Sequence, residues 1–364
     1  MKGLMQISTA TGLFLCILCG CGGSSTSEGS ENATTIIENN GKDSAFFDYS
    51  DTSSYTCVPL ETKGGGLIGG YDKVLVNDSL ICVVDRERSN SIIIFDRQGK
   101  FRAKISAQGR GPGEYTKIGD ALLCNDNIIV YDRLSRRMLF YNIDGQHIKS
   151  IHSERYRGIP FVALEEDMYA FYMAGVHDYG DNAEVILTNA KGDLLHKKYI
   201  PRKTITDARG RFGLPNYFGQ NSTGVYFIPV FEDVMYQLNE KGIEPVFDFG
   251  IKDYMLSFND ISDNKGPLEL KEKYSYFSNF HITDSGTFVC EVWKGSDIIV
   301  SICGNIHSKK LVTWQGDTPP LGQYKDKFVT AVPPSFVAKY RPEVANNDDN
   351  NYVVIFYDFD RYVK

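Results

Sequence analysis

The chain reads as an all-β protein: a six-bladed β-propeller of four-stranded antiparallel blades, its ring closed by an N-terminal strand that pairs in the last blade. Three observations carry this. The composition favours pleated, half-buried structure, with 22 Tyr, 22 Phe and 34 Gly in 364 residues. One four-residue turn recurs at a spacing that suits a blade. The last blade lacks an outer strand, and the start of the domain has one to spare.

The turn is Asp96-Arg-Gln-Gly99, then Asn142-Ile-Asp-Gly145, Asn189-Ala-Lys-Gly192 and Asn239-Glu-Lys-Gly242, with glycines 46, 47 and 50 residues apart. An Asp or Asn opens it by accepting backbone N–H groups, and Gly closes it where φ is positive. Ser301-Ile-Cys-Gly304 reads as a weaker fifth copy. Each copy follows a short run of β formers: Ser91–Phe95, Arg137–Tyr141, Glu184–Thr188, Val234–Leu238 and Asp297–Ser301. Further strands lie upstream, ending at Asp85-Arg86 and Asp132-Arg133, with inner-strand candidates at Lys73–Asn77 and Ala121–Asn125 before them. The runs are short and continuously apolar, without the sustained three-and-four spacing that a helical repeat would show. The sixth blade holds Phe328–Val332 and Tyr352–Tyr357, after which the chain stops at Lys364. Tyr55–Leu60 is then expected to supply its outer strand. Such closure removes two sheet edges, and Pro59 is tolerated on an edge.

The first 20 residues read as an export signal. Lys2 is a minimal positive region, and Leu13–Leu18 is an apolar run too short to span a bilayer. The sequence Leu18-Cys19-Gly20-Cys21 resembles a lipobox, in which a small residue precedes the cysteine that is acylated. Residues 21–54 are small and polar and read as a flexible tether from a lipidated Cys21, leaving residues 55–364 for the propeller. Several acyl chains anchor a protein stably, so the expected partner is a membrane and the expected location the outer membrane, on either face.

The formal charge of −7 excludes a nucleic-acid partner, which calls for a clustered basic face. Cys57, Cys82, Cys124, Cys290 and Cys303 show no CxxC spacing and read as unpaired thiols within strands. No cofactor is called for: there is no nucleotide loop, no GxSxG motif and no His pair at metal-ligand spacing.

Residues 55–150 resemble the six-bladed β-propeller lipoproteins of Gram-negative bacteria, relatives of the NHL-repeat propellers. The carrying segments are Val58–Thr62, Val84-Asp-Arg86, Ile94–Phe101 and above all Gly109-Arg-Gly-Pro-Gly-Glu-Tyr115, with Val353–Tyr357 at the far end. The resemblance implies the fold and an envelope location, and little chemistry.

Because strands alternate in direction, the loops Asp85–Asn90 and Asp132–Arg137 share a face with the inter-blade loops Lys63–Gly66 and Gly109–Tyr115. That face, near the mouth of the central channel, is the expected ligand site. Its candidate residues are Arg86, Arg110, Gly111, Gly113, Glu114, Tyr115 and Arg133. Arg110 could grip an anion and the glycine N–H groups could converge on it. Alternatively the loop only turns the chain, with Arg110 and Glu114 paired. Asp85 and Asp132 read as caps of their own turns. His281 lies beside an aromatic stretch, Tyr274–Phe277 and Phe280, that reads as core. The functional expectation is a binding or scaffold module holding a glycan, a peptide or an envelope protein. The alternative is a hydrolase or lyase with a polar or metal site at the channel mouth.

Overall fold

A computed structural model describes residues 35–38, 48–124, 126–152, 160–165, 167–172, 185–198, 216–229, 232–239, 242–251, 275–294, 297–314, 319–345 and 351–364. Two strands precede the first blade: β1 (Thr35–Glu38) and β2 (Tyr55–Pro59). Blade one is β3 (Lys73–Val76), β4 (Leu80–Asp85), β5 (Ser91–Asp96) and β6 (Phe101–Ile105); blade two is β7 (Ile118–Cys124), β8 (Asn127–Asp132), β9 (Arg137–Asn142) and β10 (His147–His152). Blade three is β11 (Phe161–Glu165), β12 (Met168–Tyr172), β13 (Val185–Asn189) and β14 (Leu194–Lys198); blade four is β15 (Phe218–Asn221), β16 (Gly224–Phe227), β17 (Val234–Asn239) and β18 (Gly242–Asp248). Blade five is β19 (Ser275–Ile282), β20 (Thr287–Lys294), β21 (Asp297–Asn305) and β22 (Lys310–Trp314). Blade six has β23 (Gly322–Tyr324), β24 (Lys327–Val332) and β25 (Val353–Tyr357), and takes β2 as its outer strand.

The strand order in blade six is β2-β25-β24-β23, and Tyr55 pairs with Tyr357 and Pro59 with Val353, antiparallel. This is the closure expected from the sequence. Blade five differs from the others in carrying a fifth strand: β1 runs parallel to β22, with Thr35 opposite Lys310 and Glu38 opposite Thr313. Sequence reading placed no strand there.

Packing explains why the middle strands look hydrophobic throughout. A blade is covered on both faces, so its middle strands do not alternate. All six residues of Leu80–Asp85 are buried, whereas the outer strand Phe101–Ile105 alternates. Leu80, Cys82 and Val84 pack towards blade two, while Ile81 and Val83 pack towards Val329, Val354 and Phe356 of blade six. A hydrophobic cluster of this kind fills each of the six junctions between neighbouring blades. Each buried Ile, Val or Phe contributes about 1.5–3 kcal/mol, so the ring is held by its interfaces rather than by one central core.

The first three recurrent turns form as expected, while Glu240 and Lys241 of the fourth lie outside the described residues. Gly99, Gly145 and Gly192 adopt φ of 81°, 75° and 80°. The Asp96, Asn142 and Asn189 side chains each accept N–H groups two and four residues on. The fifth copy is displaced. Gly304 lies within β21, where an added Cβ would meet Phe288 Cζ at 2.3 Å. Asn305 makes the turn instead, accepting the N–H groups of His307 and Ser308. Gly304 is therefore a packing glycine, which four-residue pattern matching does not separate from a turn glycine.

Between β24 and β25 the chain forms two short helices, α1 (Pro334–Ala338) and α2 (Pro342–Ala345). They bury Val337 and Val344 against the junction of blades five and six. The strand cysteines Cys57, Cys82, Cys290 and Cys303 are free thiols, and burial pushes Cys82 up to about 12 and Cys57 up to about 11. Among the described residues no helix is long and apolar enough to cross a membrane.

Candidate functional site: the axial channel

None of the candidate ligand residues singled out from sequence lines the axial cavity, although Arg86 reaches an inner strand. In the Gly109–Tyr115 loop, Glu114 accepts the Gly111 N–H at 2.8 Å, so its carboxylate closes the loop on itself instead of pairing with Arg110. Arg137 donates to the Glu114 carbonyl at 2.7 Å, and the Tyr141 hydroxyl donates to that of Gly113 at 2.8 Å. Gly113 (φ 75°) abuts His147, the first residue of the outer strand of blade two. Tyr115 is fully buried, with its hydroxyl 2.8 Å from the Asn90 carbonyl and 3.1 Å from that of Ile105. The Gly-rich stretch thus sits on the outside of the ring. Gly64 repeats the arrangement one blade earlier, at φ 71° over Phe101, the first residue of the outer strand of blade one. At Gly64 and Gly113 these loops therefore touch outer strands. An inter-blade connection leaves from an outer strand, and its first half stays at the rim.

Asp85 and Asp132 are buried caps. Asp85 accepts the N–H groups of Arg88 and Ser89 and the Ser89 hydroxyl; Asp132 accepts from Leu134 N–H, the Ser135 hydroxyl and Thr116 N–H. Burial pushes the Asp85 carboxyl up, but these hydrogen bonds outweigh it and hold the group below its ordinary value. Arg86 reaches inward, donating to the Gly119 carbonyl at 3.3 Å, with Asp72 4.0 Å away. Arg110 and Arg133 are exposed.

The inner strands of all six blades line one axial cavity of about 240 Å³. Lys73 starts the inner strand of blade one. Its Nζ lies 2.9 Å from Asp120 Oδ1 on blade two and also donates to the Ala121 carbonyl at 3.2 Å. Asp120 is 3% exposed, and its other oxygen accepts the Phe161 N–H of blade three at 3.2 Å. His281 of blade five, 3% exposed, meets Gln323 Oε1 of blade six at 2.7 Å. Burial, with a further contribution from the Lys73 charge, lowers the His281 imidazole to about 4, so it is neutral at ordinary pH. Gln323 Nε2 donates to the Gln220 carbonyl at 3.1 Å, and Gln220 Nε2 to that of Ala163 at 3.0 Å. A chain of polar contacts therefore runs from blade to blade around the axis.

Sequence reading found none of Lys73, Asp120, Gln220 or Gln323, and took His281 as a lone residue. They are far apart in the chain and share no motif. The one usable signal is position, since each lies on the innermost strand of its blade. The neighbouring aromatics Tyr276, Phe277 and Phe280 are core, as expected; Tyr274 lies outside the described residues. Among the described residues, no group of three or more His, Cys, Asp or Glu side chains is placed to hold a metal ion.

Six four-stranded blades around an axial cavity define a six-bladed β-propeller. The chain belongs to the family described as a domain of unknown function, DUF4934, whose model matches residues 34–363. That match takes in β1 as well as the ring. Among solved structures, the chain is similar to a Bacteroides fragilis protein described as an exported one. The TM-score is 0.68 at 15% identity, over 88% of this chain and 99% of the other. It is also similar to a Bacteroides vulgatus member of the DUF4221 family, with a TM-score of 0.52 at 11% identity, over 83% and 95% of the two chains. These likenesses are of fold. No curated protein matches the chain.

Proposed function

We propose that this protein is a binding module of the bacterial cell envelope, tethered by an acylated Cys21, that receives a small ligand in its axial channel. One observation carries the binding reading. Six separate blades contribute to a single cavity, and its polar groups are already held in place by hydrogen bonds across blades. A pre-formed concave site with a few fixed polar groups on apolar walls is what small-ligand binding needs. Arg110 and Arg133, exposed on loops, are proposed as outer contacts for whatever part of a ligand or partner stays outside, with Arg86, Gly111, Gly113, Glu114 and Tyr115 setting the loop shape. The membrane reading rests on the lipobox and on the short apolar leader.

Two measurements test this. Cells grown with a labelled fatty acid should label the wild-type chain and not Cys21→Ala, and the variant should leave the membrane fraction. The detergent-purified mature chain should gain several degrees of melting temperature from a member of a panel of small polar ligands, a gain lost on Leu123→Phe, which narrows the channel. A panel without effect would overturn the binding reading, and an unlabelled wild type the anchor.

A further inference from the structure

We infer that the axial channel takes a neutral, hydroxyl-rich ring the size of one sugar residue, an inference that rests on the binding reading above and specifies its ligand.

The two lysines facing the cavity are answered locally. Lys73 is paired with Asp120, and Lys325 lies 2.7 Å from Asp78. Asp284 accepts the Ser222 N–H at 2.7 Å. His281 carries no charge near neutral pH, and Lys73 beside it opposes one. A carboxylate or phosphate entering the channel would meet cations already committed to carboxylates. Such an anion would lose its hydration without a counter-ion in return. Asp284, held by one N–H donor, is the lining carboxylate that an ammonium could reach, which is why amino acids serve as competing probes below.

Neutral hydrogen bonding is what the lining offers. Asn216 Nδ2 donates to the Phe280 carbonyl at 2.7 Å, and Gln220 and Gln323 each donate to one carbonyl. An amide carries two donors and an acceptor oxygen, and an ammonium three donors. These contacts therefore use part of the capacity of each group, and leave donors and acceptors interleaved around the cavity. A hydroxyl can donate and accept at one position, so a polyol can satisfy such an array, whereas a hydrocarbon would strand it. Phe161, Phe218, Val74 and Leu123 supply apolar walls for the C–H faces of a ring. At about 240 Å³ the cavity lies just under the roughly 300–1,000 Å³ of pockets for drug-sized ligands. It suits one ring.

The test is calorimetry and saturation-transfer NMR on the detergent-purified mature chain. The probes are neutral hexoses and N-acetylhexosamines, matched uronic acids, and free amino acids. The expected result is binding of a neutral sugar, insensitive to salt, and weakened at least tenfold by both Gln220→Leu and Leu123→Phe. Melting curves of each variant confirm that it is folded, and the two variants act differently, one removing a polar group and the other filling space. If a uronic or amino acid binds better than the neutral sugar and loses affinity in the same variants, the ligand class is wrong while the channel reading stands. Sugar binding untouched by either variant places the site elsewhere and overturns both. No binding by any probe also overturns the inference.

Discussion

Tyr55 stands opposite Tyr357, so strands β2 and β25, from the two ends of the ring's sequence, are hydrogen-bonded neighbours. Tyr55 is 3% exposed, its hydroxyl donates to the Tyr49 carbonyl at 2.8 Å, and the Arg341 guanidinium lies 5.3 Å from its ring. The ring is thus closed by side-chain packing as well as by the ladder. Tyr55→Ala should cost about 3–5 kcal/mol, as other buried aromatic truncations do. Urea unfolding would show a large drop in midpoint; an unchanged midpoint would mean that closure contributes little.

Lys73 and Asp120 join blades one and two at the channel. Lys73→Met leaves a buried carboxylate without its cation and should destabilise by about 3–5 kcal/mol. Replacing both, as Lys73→Met with Asp120→Leu, should recover much of that loss, because no charge is then stranded. A double-mutant cycle showing simple additivity would contradict the pairing.

His281 makes stability depend on acid. Its folded value of about 4 lies below the ordinary 6.5, so the folded state binds its proton more weakly than the unfolded one. The contribution is complete above pH 6.5 and is lost as pH falls through 4, by about 3 kcal/mol in all. His281→Asn should flatten the stability curve between pH 6.5 and 4; parallel curves for the two proteins would refute the assignment.

Glu291 has the opposite sign. It is fully buried on β20, with Asn279, Ser278 and Trp293 donating to Oε2 while Oε1 is unpartnered. Burial raises its carboxyl and outweighs those three hydrogen bonds. Its contribution is therefore present at low pH and is lost as pH rises from 4.5 through the raised value. Glu291→Gln, neutral at every pH, should melt several degrees higher at pH 7 and lose that advantage near pH 4. A melting temperature at pH 7 no higher than wild type would sink this account.

Gly113 and Gly145 share a φ of 75° but differ in surroundings. A Cβ on Gly145 meets nothing nearer than 3.5 Å, whereas one on Gly113 meets His147 at 2.7 Å. Gly145→Ala should cost about 1–2 kcal/mol for the backbone alone, and Gly113→Ala distinctly more. Equal losses would show that the loop has room to yield.

The sequence carried the fold well because blade structure is local. The Asp or Asn and Gly of each turn, and the apolar runs on either side, act within ten residues of one another, so Asp96–Gly99 and Asn142–Gly145 announce themselves. Even closure was legible, since a missing outer strand and a spare one can be counted. By contrast, Gly304 was misplaced because a glycine required for packing against Phe288 looks like one required for positive φ. The strand β1 escaped notice because Thr-Ile-Ile-Glu is too short to stand out from its polar surroundings.

By itself, then, the sequence determined the repeat, the number of blades and the residues that turn each hairpin. All of these follow from backbone preferences and from apolar patterning within short windows. Tertiary structure alone decided what meets at the axis. Lys73, Asp120, His281 and Gln323 come from four blades and are brought together only when the ring closes. No local pattern encodes that meeting, because distances across a ring depend on how blades twist and pack against one another.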